Sequence, residues 1–249
     1  MFPIRDHNPA SRTPFVTYAL ILANVVIFLL MMPAAGSEEQ LYRLYYQWGL
    51  VPLWVSQGTH LGGLFTHMFL HGSLLHLAGN MLFLWIFGDN LEDELGHVGF
   101  SLFYLASGLG AATLQMLADP TSTMPMIGAS GAIAGVMGGY LLLFPRAQVD
   151  VLFVFVFFIR ILPVPAWVML ILWFGMQLFN GTVTPVSDGG VAYWAHTGGF
   201  LVGLIWVLPR WLGKGGPDFW ARNQGLPPHP AAQYRMGVSD VPRVRRRRR

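Results

Sequence analysis

Between residues 15 and 208 the chain returns six times to an apolar run of a length suited to crossing a lipid bilayer, at 15–32, 73–94, 98–117, 127–144, 165–180 and 191–208. A transmembrane helix needs about 20 mostly apolar residues, so the pattern admits roughly six crossings in one compact helical bundle. Composition agrees, since 54% hydrophobic and 11% charged residues lie outside the range of soluble domains. The expected fold class is all-α, a polytopic membrane protein with six transmembrane helices. A further apolar stretch, 151–161, is too short to cross alone and is expected to lead into the fifth run from the inner side. The first run follows Arg5 and Arg12 but exceeds a typical signal h-region, so it is expected to remain as an anchor helix.

Charge orients this bundle. Of the 15 Lys and Arg residues, ten lie from Arg210 onward, and five of these form the terminal run 245–249. With six crossings both termini share a side, and the positive-inside rule puts them in the cytoplasm with Arg146 and Arg160, leaving Arg43 outside. The basic tail is read as a cytoplasmic flank in contact with anionic lipid heads, with no nucleic acid expected as a partner. The organisation expected is a cytoplasmic N-terminal tail over 1–14, a core over 15–212 and a flexible basic tail over 213–249. The absence of cysteine excludes disulfides, thiolate metal sites and a cysteine nucleophile.

In this topology the second, fourth and sixth runs all start at the outer face. His76, Ser130 and His196 then lie within one or two turns of that surface, about 5 to 8 Å down at 1.5 Å per residue. An ionisable group in a membrane helix is costly and marks a functional candidate. Ser130 sits in Gly128-Ala129-Ser130-Gly131, with Gly135 and Gly139 following at four-residue spacing, and His196 is followed by Gly199 and Gly203. Two faces of small residues let helix backbones approach closely, near enough for a serine hydroxyl to meet an imidazole that serves as its base. Hydrolysis also needs donors for an oxyanion. His76 and Asn80, four apart on one helix face, are candidates, as is the Ser130 N–H near a helix start. No acidic residue occupies the outer half of these runs, so a Ser–His dyad is the simpler reading. Asp119 and Asp188 are read as solvated loop carboxylates.

The strings His76-Leu-Ala-Gly-Asn80, Gly128-Ala-Ser130-Gly131 and Ala195-His196-Thr-Gly-Gly199 resemble, in this order, the three signatures of rhomboid proteases. Phe65-Thr-His67-Met-Phe-Leu-His71-Gly before the first string and Asn90-Leu-Glu92-Asp-Glu94-Leu-Gly96-His after it agree with that resemblance, which covers about residues 15–212. It implies a six-helix rhomboid-like bundle that hydrolyses peptide bonds in or beside transmembrane segments of other membrane proteins, with no cofactor and no metal. Ser130 and His196 would form the catalytic dyad. His76, Asn80 and the Ser130 amide would form the oxyanion hole, with Gly128 in the same substrate-binding set. Pro125 and Pro145 bracket the fourth run to 19 residues, about 28 Å, which suits the short fourth helix of that family.

Substrate entry between the second and fifth helices would bring Trp85, Phe87, Trp167 and Trp173 to the gate or the lipid, and lipid contact is the plainer reading. Some members carry an aromatic four residues after the serine to stack on the imidazole; this chain has Ala134. Others have a Trp-Arg pair in the first outer loop, where only Tyr42-Arg43 and Trp48 occur. His60, His67 and His71 are expected to make structural hydrogen bonds. Two other functions are open at this point. One is a non-catalytic member of the fold that escorts transmembrane clients, and the other is a small transporter with a histidine proton relay, which polar residues clustered at one end argue against. The compact plan suggests a bacterial cytoplasmic membrane.

Overall fold

The structure, a computed structural model, describes residues 2–155, 158–184 and 190–228. Strand β1 (Phe2–Asp6) precedes helix α1 (Phe15–Met31), and then come α2 (Glu38–Trp48), α3 (Pro52–Ser56) and α4 (Gly63–Thr66). The long α5 (Leu74–Ala118) and the 14-residue α6 (Ser130–Leu143) follow, then the strands β2 (Gln148–Phe155) and β3 (Phe158–Pro165). Helices α7 (Ala166–Val183), α8 (Tyr193–Gly213) and α9 (Pro217–Asn223) complete the described chain.

Helix α5 is two helices in one. Gly96 interrupts it at φ 71°, ψ 164°, a conformation that a residue with a Cβ rarely adopts. Each arm of about 22 residues is roughly 33 Å long, close to the thickness of a hydrocarbon core. The arms fold back on each other, because His76 near one end and Gln115 near the other line the same cavity. Among the described residues, Phe15–Gly36, Leu74–Ala118 and Ala166–Val183 are long and apolar enough to cross a membrane, and α6 is a shorter apolar helix.

Helix α6 lies at the centre, with every residue from Gly131 to Tyr140 buried. The two glycine faces meet as their spacing suggested. A Cβ on Gly199 would strike the Gly131 carbonyl, and one on Gly203 would strike the Gly135 backbone. Below this contact the core is filled by large side chains such as Phe87, Phe103, Tyr104 and Tyr140. Phe87 is thus a core residue and not a lipid contact, its ring centroid 4.9 Å from that of Tyr140. Trp85 and Trp167 are exposed.

The fold is mostly helical, as expected, but the all-α reading is corrected in one respect, by a three-stranded antiparallel sheet of order β1-β2-β3. Phe2 faces Leu152 and Asp6 faces Val149, while Val151 faces Leu162 in the β2–β3 hairpin. The described residues of the stretch expected to lead into the fifth run are therefore β structure. Its Val, Ile and Phe residues suit a pleated surface. The N-terminal tail supplies the third strand, anchored by Arg5 Nε donating to Asp150 Oδ2 at 2.7 Å.

Two other segments read as loop or tail are helical. Region 33–72 holds α2 to α4; α2 starts at Ser37, whose hydroxyl accepts from the Gln40 N–H, with Glu38 and Glu39 in its first turn, where carboxylates favour the helix dipole. Past residue 213, α9 docks through buried Phe219 and through Trp220 Nε1, which donates to the Leu142 carbonyl at 3.0 Å. Asp188 and the arginine run 245–249 lie outside the described residues.

The acidic group at the end of the first α5 arm, just before Gly96, is fully engaged. Glu92 accepts from the α1 start, Asp93 from Ser11 N–H at 2.9 Å, and Glu94 from Arg210 and Lys214 at 2.9 and 3.0 Å. Each carboxylate ties a different element to α5.

Candidate active site

Ser130 is the first residue of α6, not the fourth of a longer helix as the hydropathy of 127–144 suggested. Its N–H therefore has no intrahelical acceptor. The approach to it is set by Gly128, at φ 129°, whose N–H donates to the His67 carbonyl at 2.9 Å. A Cβ on Gly128 would lie 2.8 Å from His76 Nε2 and 3.6 Å from Ser130 Oγ. The missing side chain thus leaves a small space bordered by both groups.

His196, the fourth residue of α8, is buried, and its Nε2 lies 2.8 Å from Ser130 Oγ. The approach of α6 to α8 at Gly131, next to Ser130, and Gly199, about one turn after His196, sets this distance. On the first α5 arm, the Ser73 hydroxyl caps the helix by accepting from the His76 N–H at 3.1 Å. His76 and Asn80 both line the cavity that contains Ser130 and His196. Asn80 Nδ2 is 2.9 Å from His71 Nε2, which engages one of its two N–H groups and leaves the second available. The cavity measures about 570 Å³, and its lining among the described residues contains no Asp, Glu, Lys or Arg. All the residues singled out from the sequence, Ser130, His196, His76, Asn80 and Gly128, border this one space.

The loop histidines are scaffolding. His67 Nδ1 donates to the Gly63 carbonyl at 2.9 Å, and His60 Nε2 lies 2.7 Å from the Gln47 carbonyl. Burial holds His67 down to about 4, and burial with the nearby His76 does the same to His71, so both are neutral at physiological pH. Arg43 is spent on an exposed pair with Glu39 at 2.6 Å, and Asp119 accepts from Thr121 within its own turn.

Two residues here, Gln177 and Gln115, escaped sequence reasoning, and a third, Trp173, takes a place not expected of it. Gln177 Oε1 is 2.8 Å from His196 Nδ1, the Trp173 ring packs on His196 with centroids 5.6 Å apart, and Gln115 Oε1 accepts from the Ala195 N–H at 3.2 Å. Trp173 is half-buried against the imidazole, so its reading as a lipid contact is corrected. The signal was present: Gln177 and Gln115 are uncharged polar residues inside apolar runs. Like the histidines and Asn80, they are polar groups of the kind that marks function inside an apolar run.

Residues 58–212 match the sequence model of the rhomboid domain. Rhomboid protein 1, mitochondrial, of Saccharomyces cerevisiae is 32% identical over 208 residues, covering 80% of this chain and 55% of that protein. RHOMBOID-like protein 6, mitochondrial, of Arabidopsis thaliana is 30% identical over 168 residues, covering 55% of this chain and 54% of that protein. Rhomboid protease GluP of Bacillus subtilis is 29% identical over 205 residues, 82% of this chain and 36% of that protein. The chain spans about half the length of the first two relatives and about a third of the last. Two of the three are mitochondrial by name, so these relatives lend no support to a bacterial membrane in particular. The domain match and the yeast relative, joined to the three motifs gathered around one cavity, show that this chain belongs to the rhomboid family.

Proposed function

We propose that the chain is an intramembrane serine endopeptidase that cleaves transmembrane or juxtamembrane segments of other membrane proteins. The observation that carries this reading is the 2.8 Å separation of Ser130 Oγ and His196 Nε2 inside a cavity at one end of the helices. In the reaction, Ser130 Oγ attacks the scissile carbonyl carbon as its proton passes to His196 Nε2. The tetrahedral oxygen is held by N–H donors from His76, Asn80 and the Ser130 backbone, in the space left by Gly128. His196 then protonates the leaving amine, and water, activated by the same imidazole, releases the acyl group from Ser130. No metal or cofactor enters this scheme.

The proposed topology has six crossings: α1, the two arms of α5, α6, α7 and α8. Both termini, the sheet and the basic tail lie on the cytoplasmic side, and the cavity opens on the opposite one. The terminal arginines would contact anionic lipid heads. The glycines beside Ser130 in the cavity wall, Gly128 and Gly131, favour cleavage after small side chains near a helix-weakening Gly or Pro. A client-binding protein without activity is the second reading, and Ser130 with its partnered imidazole argues against it.

The test is purified protein in mild detergent with a model type I membrane protein carrying a Gly-containing span, comparing wild type, Ser130→Ala and His196→Ala by gel and mass spectrometry. Cleavage by wild type alone is expected, with fluorophosphonate labelling that Ser130→Ala abolishes. Absence of both cleavage and labelling in wild type would support the client-binding reading.

A further inference from the structure

The hydrogen bonds around His196 continue past Ser130. Gln177 Oε1 lies 2.8 Å from His196 Nδ1, and Gln177 Nε2 donates to the Trp173 carbonyl at 3.1 Å. A backbone carbonyl only accepts, so its partner is the amide nitrogen of Gln177. This orients the amide with its oxygen toward His196. That oxygen also only accepts, so His196 Nδ1 must carry the proton. A neutral imidazole with its proton on Nδ1 has a free lone pair on Nε2, the atom facing Ser130 Oγ.

We infer that Gln177 is the positioning residue of the dyad, a neutral third member that selects the Nδ1–H tautomer of His196 and so makes Nε2 the base for Ser130. The inference rests on the protease reading for its consequence in catalysis, but the tautomer itself is independent of that reading. The geometry is well supported. Gln177 is 7% exposed and His196 9% exposed, so water is poorly placed to substitute for the amide. Trp173, one turn before Gln177 on α7, supplies both the carbonyl that orients the amide and a ring against the imidazole at 37° between planes. This answers the absence of an aromatic at Ala134, since support of the imidazole comes from α7 and not from α6. A buried carboxylate in place of Gln177 would also select this tautomer, but it would bury a charge at a position only 7% exposed, where desolvation is costly.

The experiment uses full-length protein in detergent, with ¹⁵N-labelled histidine, and compares wild type, Gln177→Leu and Gln177→Glu by ¹⁵N NMR, His196 being assigned by its loss in His196→Ala. Wild type is expected to show His196 protonated on Nδ1. Gln177→Leu, which keeps the bulk and removes the acceptor, is expected to show a mixture of tautomers and a kcat lower by about 10- to 100-fold, the scale known for groups that orient metal-bound imidazoles. KM should change less than twofold, because Gln177 does not line the cavity. Gln177→Glu, which restores an acceptor, is expected to return the Nδ1–H form and to recover most of the lost kcat. A proton on Nε2 in wild type, or an unchanged Nδ1–H signal in Gln177→Leu, would overturn the inference. If the tautomers respond as expected while wild type neither cleaves substrate nor reacts with a fluorophosphonate, the protease reading fails and the assignment of Gln177 stands.

Discussion

Glu92 and Thr17 are joined by two hydrogen bonds, the Thr17 N–H and hydroxyl both donating to Glu92 Oε2 at 2.7 and 2.8 Å. The other carboxylate oxygen accepts from the Val16 N–H at 2.8 Å and lies 2.5 Å from His97 Nδ1. Helix α1 has no side-chain cap of its own, so a carboxylate from another helix satisfies two of its orphan amides and complements its dipole. Glu92 is 1% exposed, and its removal leaves these donors buried and unpaired. Glu92→Ala is expected to lower stability in detergent by about 3 kcal/mol and Thr17→Val by about 1 kcal/mol, measured by denaturant unfolding. Similar small losses for both would show that α1 is held by apolar packing alone.

Gly199 tests the approach of α6 to α8. Its Cβ would meet the Gly131 carbonyl, a backbone group that yields only if a helix moves. Gly199→Ala is expected to cost about 1 to 3 kcal/mol and to separate Ser130 from His196, with loss of cleavage. Gly175→Ala on α7 is the control, since nothing lies within 4 Å of its added Cβ; it should be neutral or slightly stabilising, as alanine is in a helix.

Gly128→Ala probes the space beside Ser130 and His196. The backbone there, at φ 129°, is strained for alanine, and the new methyl would stand 2.8 Å from His76 Nε2. A fall in kcat of about a hundredfold is expected, the scale of losing one oxyanion donor, with a much smaller change in thermal midpoint. Wild-type turnover in this variant would remove Gly128 from the site.

The docking of β1 should depend on pH. Burial pushes the Asp6 carboxyl up to about 7, outweighing the hydrogen bonds it accepts from Tyr140 and from backbone N–H groups and the attraction of His7. In the unfolded chain it titrates near 3.8. Between these values the folded chain keeps a proton that the unfolded chain has released, so stability falls as pH rises through this window and levels off above it. Asp150 works in the opposite sense: burial raises it, but Arg5 and His7 hold it below 3.8, so its contribution is already complete above that pH. Hydrogen exchange of residues 2–6 is expected to quicken between pH 5 and 8 in wild type by more than in Asp6→Asn. Equal acceleration in both would assign the effect to another group.

Much of the bundle was legible because apolar length alone marks a membrane helix. The runs 15–32 and 165–180 differ from α1 and α7 by a few residues, and the two runs on either side of Gly96 became the arms of α5. The sheet is illegible for a related reason: 151–161 is apolar but too short for a span, and a short apolar run does not by its pattern alone separate a strand from a helix. Its partner β1 lies about 145 residues away, as the Arg5–Asp150 pair shows, and no local pattern in Phe2–Asp6 names that partner.

The sequence by itself determined that the chain belongs in a membrane and which residues were candidates for chemistry, because apolar run length, glycine spacing and polar groups inside apolar runs are local properties. Only the tertiary structure decided that Gly199 meets Gly131, that Ser130 opens its helix, and that Gln177 turns its oxygen to His196. Each of these depends on which faces of distant helices come together. The hydrogen-bonding sense of Gln177 depends further on a single carbonyl, that of Trp173, whose position exists only once α7 has packed against α8.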